Sequence, residues 1–281
     1  MDNHTVKNSG ASMIAIFDKE RLYFNKWEMY KLLSQHDLPF TMPYTEYLTE
    51  QALDQFLYGD VPFFIKPVDT WAGKHITFIK RVLNGYAAQH PDGSGGVLPN
   101  NQALKQSLYE KYQNTQAIIQ QQAPIISYDT RAFDIRVHLQ RDEHGHWLYA
   151  GDLIRIGGKQ SIVSNLFMHG GGVVTTESVL QDLFHNTHVT MIKDNLANAA
   201  LGVAQILDRY YPFIDIGVDF GIDEHGNLWL LEVNTNDKKG RPGYDLFKKL
   251  PDKSVFKKMK AKDKQRLKVW QMQQMHGGHF R

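Results

Sequence analysis

Residues 217–234 read GVDFGIDEHGNLWLLEVN. Apolar residues flank a His-Gly pair, which is the pattern of two antiparallel strands joined by a tight turn. If that pair forms a two-residue turn, residues whose numbers add up to 451 face each other across the hairpin. Asp219 then lies opposite Glu232, with Cβ atoms about 5 Å apart. Asn234 is two residues further on, so it points to the same face.

This face predicts a magnesium site. Two directly opposed carboxylates repel each other unless a positive group lies between them, and Mg²⁺ accepts carboxylate and amide oxygens while keeping waters or substrate phosphates. The alternative is a solvated hairpin face with one carboxylate partly protonated. We favour the metal site, because the run LWLL at 228–231 is too apolar for an edge that lies in water.

Composition excludes several classes of protein. The chain has 281 residues, 42% of them hydrophobic, which is enough to bury one or two ordinary cores. It has no cysteine, which rules out disulfides, thiolate catalysis and cysteine-ligated zinc. Residues 1–12 lack an apolar signal core, and no window has the roughly 18 apolar residues of a membrane span. We therefore expect a cytoplasmic protein.

Charge is distributed unevenly along the chain. From Lys248 onward there are 11 Lys/Arg and 2 Asp/Glu, so this tail has a net charge near +9. The residues before it include 21 Lys/Arg and 28 Asp/Glu, so the body has a net charge near −7. A basic tail can hold nucleic acid or an anionic surface. We favour a solvated helical face and expect no nucleic-acid partner, because aromatic stacking platforms are not evident. The apolar residues of the tail have helical spacing: Val255, Phe256, Met259, Leu267 and Trp270.

The remaining pattern predicts an α+β fold, because sheet hairpins alternate with covering helices. Residues 84–101 are rich in Gly, Asn and Pro and predict a mobile loop. Asn25 is a suitable cap for the first helix. The predicted helices span 25–35, 50–57, 102–112 and 187–210, and the predicted strands include 13–18, 62–67, 76–82 and 117–120.

An earlier hairpin repeats the same turn sequence. Strands at 133–140 and 147–156 flank the tetrapeptide DEHG, which recurs at 223–226. In the same register Asp134 opposes Arg155, and Arg136 shares their face, although a single bulge would shift this pairing. Two interpretations stay open. The residues form a cross-strand ion pair, or a surplus guanidinium grips a phosphate or carboxylate in a planar fork.

An ordered set of short motifs resembles the ATP-grasp enzymes, most closely the ligases that add glutamate to peptides or carrier proteins. The set comprises FIKP at 64–67, DIR at 134–136, Arg155, SNL at 164–166, GGG at 170–172, Asp219 and EVN at 232–234. Three further segments resemble the YheC/YheD endospore coat-associated branch: NKW at 25–27, LP at 38–39 and RPGYD at 241–245.

The resemblance covers about residues 22–250 and implies two α+β subdomains that clasp ATP between antiparallel sheets. It divides the chain into a short segment 1–21, an N-terminal subdomain 22–119, a C-terminal subdomain 120–250 that holds the metal site, and a basic helical tail 251–281.

The resemblance also implies which residues bind the nucleotide. Lys66 matches the lysine that contacts the α- and β-phosphates, where the alternative is a lysine that is simply exposed. Gln120, Gln121 and Gln122 fall where the family binds adenine, without indicating which of them does what. Gly73 belongs to the loop that covers the phosphates.

The remaining site residues are implied in the same way. Asp219, Glu232 and Asn234 match the ligands of two magnesium ions, with Glu232 bridging the two. Arg136 and Arg155 match positions that steady the γ-phosphate and an acyl-phosphate. Asn165 and the glycines after it would let backbone N–H groups approach that anion.

Two departures from the family pattern bear on function. Of the glycines usual after Lys-Pro, the run VDTWAGKHI at 68–76 keeps only Gly73, with Thr70, Trp71 and His75 at the other positions. Either these side chains shape a closed lid or this protein binds ATP poorly. Many relatives also have a fuller N-terminal domain, so we expect an acceptor site that is open or completed by a protein partner.

The resemblance implies an ATP- and Mg²⁺-dependent carboxylate–amine ligase that acts through an acyl-phosphate, with an amino acid or peptide as acceptor. Two alternatives remain. One is a kinase that uses the same clasp, and the other is a non-catalytic spore coat or scaffold protein. A ligase needs two co-substrates for ADP release, whereas a kinase needs one.

Overall fold

The computed structural model describes residues 14–70, 75–158, 171–235 and 243–275, with side chains of the last helix described as far as 272. The described residues form two antiparallel sheets with helices packed on them. This arrangement confirms the predicted α+β class. No helix in these ranges is long and apolar enough to cross a membrane.

The first sheet has six strands in the spatial order β1-β6-β2-β3-β4-β5. Helices α2 (Glu50–Gly59) and α3 (Asn101–Tyr112) begin at side-chain caps, Thr49 and Asn100. They bury Leu53, Leu104 and other apolar residues against β2 and β6. The strands are β1 (Thr45–Tyr47), β2 (Phe63–Pro67), β3 (Thr77–Val82), β4 (Gly85–Gln89), β5 (Gly95–Leu98) and β6 (Ala117–Gln121).

The second sheet has five strands in the order β11-β10-β7-β8-β9. Helices α4 (Thr176–Leu183) and α5 (Asn186–Leu207) cover one face. A 3₁₀ helix (Gly243–Lys249) and α6 (Ser254–Met275) pack on the other face, where Leu153 lies in their small core. The strands are β7 (Phe133–Arg141), β8 (Trp147–Ile156), β9 (Gly172–Val174), β10 (Asp215–Ile222) and β11 (Leu228–Thr235).

The long helical pattern predicted at 187–210 corresponds to α5. Its predicted apolar stripe is buried against the sheet, apart from Tyr210, which lies beyond the helix and is 39% exposed. The stripe consists of Val189, Ile192, Leu196, Val203 and Ile206.

The N-terminal part of the chain joins the two sheets. Helix α1 (Lys26–Leu33), capped by Asn25, packs into the core of the second sheet through Met29 and Leu32. The predicted division, which assigns residues from 22 onward to the first subdomain, remains a prediction. The first turn of α1 also reaches the first sheet, because the Lys26 N–H donates to the Val68 carbonyl at 3.2 Å.

Both DEHG hairpins reach the predicted strand register by an unpredicted route. Asp223 pairs with Asn227 around a three-residue turn, in which Gly226 has a φ of +85°. The pairs nearest the turn are therefore one residue out of the predicted register, and a bulge at Asp219/Phe220 restores it. The hairpin at 142–146 has the same turn and a compensating shift at His138/Leu139. The predicted two-residue turns are wrong, while the pairs Asp219–Glu232 and Asp134–Arg155 are correct.

Two predicted elements are corrected. The segment 84–101, predicted as a loop, contains β4 and β5. Gly95 has a φ of +156°, and a Cβ there would lie 2.2 Å from the Ala88 carbonyl oxygen, so this glycine permits close strand pairing rather than disorder. The strand predicted at 13–18 is also absent from 14 onward, where Asp18 and Tyr23 form only an isolated bridge.

We expect Gly226→Ala to lower the free energy of unfolding by about 1 kcal/mol, because alanine is strained at positive φ. The added Cβ would also meet Ile192 at 3.3 Å. Gly59→Ala is the matched control, since φ is not positive and a Cβ there meets nothing within 4 Å. Urea denaturation measures both variants. Equal stability of the two variants would contradict the strained turn.

Candidate functional site

A row of buried polar side chains lies on one face of β7. Because successive strand residues alternate, Asp134, Arg136, His138 and Gln140 point together toward the side of the 3₁₀ helix and α6. Their exposed fractions are 3%, 8%, 1% and 1%. Buried polar groups of this kind require partners, because their desolvation is costly. The neighbouring strands supply those partners.

Two arginines converge on the carboxylate of Asp219. Arg136 lies opposite Asp219 in the β7–β10 pairing and donates to both carboxylate oxygens, with its Nη2 2.9 Å from Oδ2. Arg155 reaches the same Oδ2 at 2.8 Å. Arg155 also donates to both oxygens of Asp134, at 2.6 and 2.7 Å. The predicted cross-strand ion pair is therefore formed, and it extends to Asp219.

The charges in this cluster sustain one another. Burial alone would raise the pKa of Asp219, but the positive charges of Arg136 and Arg155 outweigh it and hold that pKa below its usual value. Burial opposes the charge of Arg155 as well, and the carboxylates of Asp134 and Asp219 raise its pKa. Asp219 is thus an ionised carboxylate in the interior of the protein.

The other two predicted metal ligands lie next to Asp219. Glu232 is its direct partner across the β10–β11 pairing. Asn234 Nδ2 donates to Asp219 Oδ2 at 3.1 Å. Two carboxylates and one amide are a donor set that suits Mg²⁺, provided that the amide turns its oxygen toward the ion. In the described part of the chain, no three His, Asp or Glu side chains form a group that could hold a metal ion by themselves, and the magnesium role of these three residues remains a prediction.

Two lysines lie on the side of the first sheet. Lys66 Nζ donates to Gln120 Oε1 at 2.6 Å, and Gln120 Nε2 donates to Thr45 Oγ1 at 2.8 Å. Lys26 Nζ bonds to the Thr70 carbonyl and lies 3.7 Å from Glu232 Oε1. The ammonium of Lys26 therefore connects the strand end after β2 with the carboxylate face of β11.

Burial lowers the pKa of Lys66 to about 8. Desolvation of the ammonium outweighs the attraction of Glu232, and the charge of Lys26 adds to the fall. Lys66 is therefore poised to change charge within the range where proteins are ordinarily handled, unlike a solvated lysine.

The glutamines of the predicted adenine site differ from one another. Gln120 is buried at 8% exposure with its side chain on Lys66, whereas Gln122 is exposed. The backbone N–H groups of Gln121 and Gln122 donate to the carbonyls of Tyr44 and Pro62, each at 2.8 Å. Gln120 is therefore held by its side chain, whereas Gln121 and Gln122 are held by their backbone N–H groups. The adenine role remains a prediction for all three.

The structure adds residues that sequence reasoning missed. Lys26 belongs to the NKW motif, which we used as a family signal and not as a site residue. His138 and Asp215 form a buried pair, with Nε2 and Oδ1 3.3 Å apart; the alternation of β7 could have indicated His138. Gly73 and Asn165, which we predicted as site residues, lie outside the described residues.

Comparison with known proteins identifies the family. A family model described as YheC/D-like ATP-grasp matches residues 14–263. The chain belongs to this family. It is 30% identical over 236 residues to the endospore coat-associated protein YheD of Bacillus subtilis strain 168, a match that covers 81% of this chain and 50% of YheD. It is 24% identical over 225 residues to YheC of the same strain, covering 77% of this chain and 60% of YheC. The predicted family and branch are confirmed.

The chain spans only 50–60% of the length of these two YheC/D relatives. A solved structure supports the ATP-grasp fold. The ATP-grasp ligase PsnB, complexed with a phosphomimetic variant of its minimal precursor, Mg and ADP, superposes with a TM-score of 0.51 at 12% identity. That match covers 86% of this chain and 58% of PsnB. At this identity the likeness establishes the fold alone.

We expect Asp219→Asn to destabilise the protein by about 3–5 kcal/mol in the absence of nucleotide, because Arg136 is left buried without its carboxylate. Asn234→Ala is the control, since it removes one hydrogen bond to Asp219 and should cost about 1 kcal/mol. Both are measured by urea denaturation. Similar losses for the two variants would show that Asp219 does not sustain the ion-pair cluster.

Proposed function

We propose that this YheC/D-like protein is an ATP- and Mg²⁺-dependent carboxylate–amine ligase. In this proposal a substrate carboxylate attacks the γ-phosphate of ATP, giving an acyl-phosphate and ADP. An amine from an amino acid or peptide then displaces phosphate and leaves an amide. The acceptor class follows from resemblance to ligases of this superfamily.

The observation that carries the proposal is the cluster of opposite charges where the two sheets meet. Lys26, Lys66, Arg136 and Arg155 supply four positive charges, and Asp134, Asp219 and Glu232 supply three negative charges, leaving +1. A site with fixed, paired charges and surplus positive charge suits an anionic phosphoryl group, because phosphoryl transfer needs positioning and charge stabilisation more than covalent help.

Each residue then has a distinct role. Asp219, Glu232 and Asn234 would hold Mg²⁺, which when bound neutralises negative charge on the phosphates. Lys66 and Lys26 bind phosphate oxygens from the side of the first sheet. Arg136 and Arg155 are held in fixed orientations by Asp219 and Asp134, so their remaining N–H groups can orient the transferred phosphoryl group at little entropic cost.

Gln120 positions Lys66 in this arrangement. Its amide oxygen accepts from Lys66 Nζ, and its amide nitrogen is anchored on Thr45. Among the described residues Lys66 forms no ion pair within 4 Å, although the charge of Glu232 attracts it. Its ammonium therefore keeps donors for a phosphate. Adenine binding by backbone groups near Gln121 and Gln122 completes the nucleotide site in this proposal.

A second candidate function is a non-catalytic role in the spore coat. It is favoured by the similarity to YheD and YheC, both endospore coat-associated proteins. A kinase with the same clasp is the third candidate. Turnover separates all three, because a ligase releases ADP only with two co-substrates, a kinase needs one, and a coat protein releases none.

We expect Glu232→Gln to abolish Mg²⁺-dependent ADP release, because the substitution removes one of two charged oxygen ligands. The measurement is coupled ADP release across pairs of amino acids and peptides, with mass spectrometry of the amide product. Glu224→Gln is the matched control, because Glu224 lies in the exposed turn of the same hairpin. Native turnover in Glu232→Gln would refute the metal assignment.

We expect ATP affinity to fall by about tenfold between pH 7 and pH 9, because the free ammonium of Lys66 loses its proton near pH 8 and with it a charge-assisted contact. Affinity falls as the pH rises because ATP binds the protonated form of Lys66, and that form is lost above its pKa. Calorimetric titration across this range measures the change.

Lys66→Arg should flatten this pH dependence, because a guanidinium stays charged throughout. Lys80→Arg, at an exposed position of β3 in the same sheet, should leave it unaltered. An identical slope in Lys66→Arg and the native protein would exclude Lys66 from the nucleotide site.

A further inference from the structure

We propose that the outer face of α6 binds an acidic segment of another polypeptide. Four exposed lysines, Lys257, Lys260, Lys264 and Lys268, follow one another at intervals of three or four residues. One helical turn is about 5.4 Å, so these lysines form a line on one side of the helix with one charge per turn. We call this line the lysine face.

The lysine face meets little counter-charge within the described residues: the carboxylate of Asp252, just before α6, interacts electrostatically with Lys257 at one end of the line. None of its four lysines has an ion-pair partner there. The single acidic residue of α6 is Asp263, and it is engaged by Arg266 and by Tyr244. Solvated helices usually place carboxylates three or four residues from lysines. On α6 Asp263 alone has that spacing, three residues from Lys260, and its carboxylate is bound by Arg266 and Tyr244.

The inward cations of α6 are paired, in contrast to the outward ones. Lys262 lies 3.5 Å from Glu143, and the buried Arg266 donates to Asp263 and to the Arg141 carbonyl at 3.1 Å. Lys262 and Arg266 therefore supply the polar contacts that these cations of α6 make with the rest of the protein. The four lysines of the lysine face contribute to none of these contacts.

Repeated like charges along a helix destabilise it, since lysines three and four residues apart repel one another. Within the described chain, Asp252 offsets this repulsion beside Lys257, and no ion pair offsets it at Lys260, Lys264 or Lys268. A local conflict of this kind is typical of a functional surface. A partner that brings carboxylates to the lysine face would offset the repulsion and gain charge-assisted hydrogen bonds.

The chemistry of the face favours a polypeptide. Insertion into a membrane surface needs the apolar side of a helix, and on α6 that side is packed on the sheet through Val255, Phe256 and Met259. Single-stranded nucleic acid needs exposed aromatic platforms, and the exposed residues of α6 that are described include none. Arg266, whose guanidinium suits phosphate, points inward.

An exposed apolar residue borders the lysine face. Leu267 is 47% exposed and lies one turn from Lys264 and two turns from Lys260 along the helix surface. A polypeptide can present carboxylates and an apolar side chain together. Alternate residues of an extended chain are about 6.6 Å apart, and one residue per helical turn is about 5.4 Å, so acidic residues in either conformation meet successive lysines.

This inference is independent of the ligase proposal, because binding is measured without nucleotide. The probe is a fluorescein-labelled 16-residue peptide in which every second residue is Glu and the others are Leu or Gly. It is titrated with the full chain by fluorescence anisotropy at low salt. We expect saturable binding that weakens steeply with added salt. A peptide with Gln in place of every Glu should bind at least about tenfold more weakly.

A matched pair of variants locates the binding site. Lys260→Gln/Lys264→Gln should weaken peptide binding about fivefold, since two charge pairs are lost. Lys19→Gln/Lys80→Gln removes the same charge from exposed positions elsewhere and should change binding by less than about twofold. Circular dichroism verifies that both variants keep the native helix content, because Gln has nearly the helix propensity of Lys.

Three results would overturn the proposal. The first is equal peptide affinity in the two double variants. The second is a duplex or single-stranded DNA of equal charge that binds more tightly than the peptide and depends on Lys260 and Lys264. The third is preferential binding to anionic phosphatidylserine vesicles through the same lysines.

Discussion

The buried carboxylate of Asp219 is the constraint around which the second sheet is organised. An ionised group this deep costs several kcal/mol of desolvation unless it is paired and hydrogen-bonded. Arg136 and Arg155 provide both kinds of compensation, and Asp134 orients Arg155 from its other side. The three strands that carry these residues must therefore keep a single register, since a shift by one residue would turn every charge to the apolar face.

The two DEHG hairpins maintain that register. Each combines a three-residue turn, with a glycine at positive φ, and one bulge on the way to the site. The bulge corrects the offset that the turn introduces, so Asp219 meets Glu232 and Asp134 meets Arg155. A bulge also increases strand twist beside a functional site, which is consistent with its position next to the charged cluster.

Helix α1 and strand β2 complete the cluster. Helix α1 is anchored in the core of the second sheet by Met29 and Leu32. Its first residue, Lys26, touches the segment after β2 and lies near Glu232. Lys66 contributes a cation with a depressed pKa from the neighbouring strand end.

The sequence by itself determined the α+β class and most helix and strand positions, because these depend on local periodicity and capping, and its ordered motifs identified the family. It also predicted the opposition of Asp219 to Glu232, but through a wrong turn, since the bulge at Asp219/Phe220 offsets the three-residue turn. It could not determine that two arginines converge on Asp219, that α1 packs with the second sheet, or that 84–101 forms strands. Those features depend on which strands become neighbours in space, and only tertiary packing sets that. Lys26 and Glu232 are separated by 206 positions in the chain. No local sequence pattern predicts that Lys26 Nζ lies 3.7 Å from Glu232 Oε1.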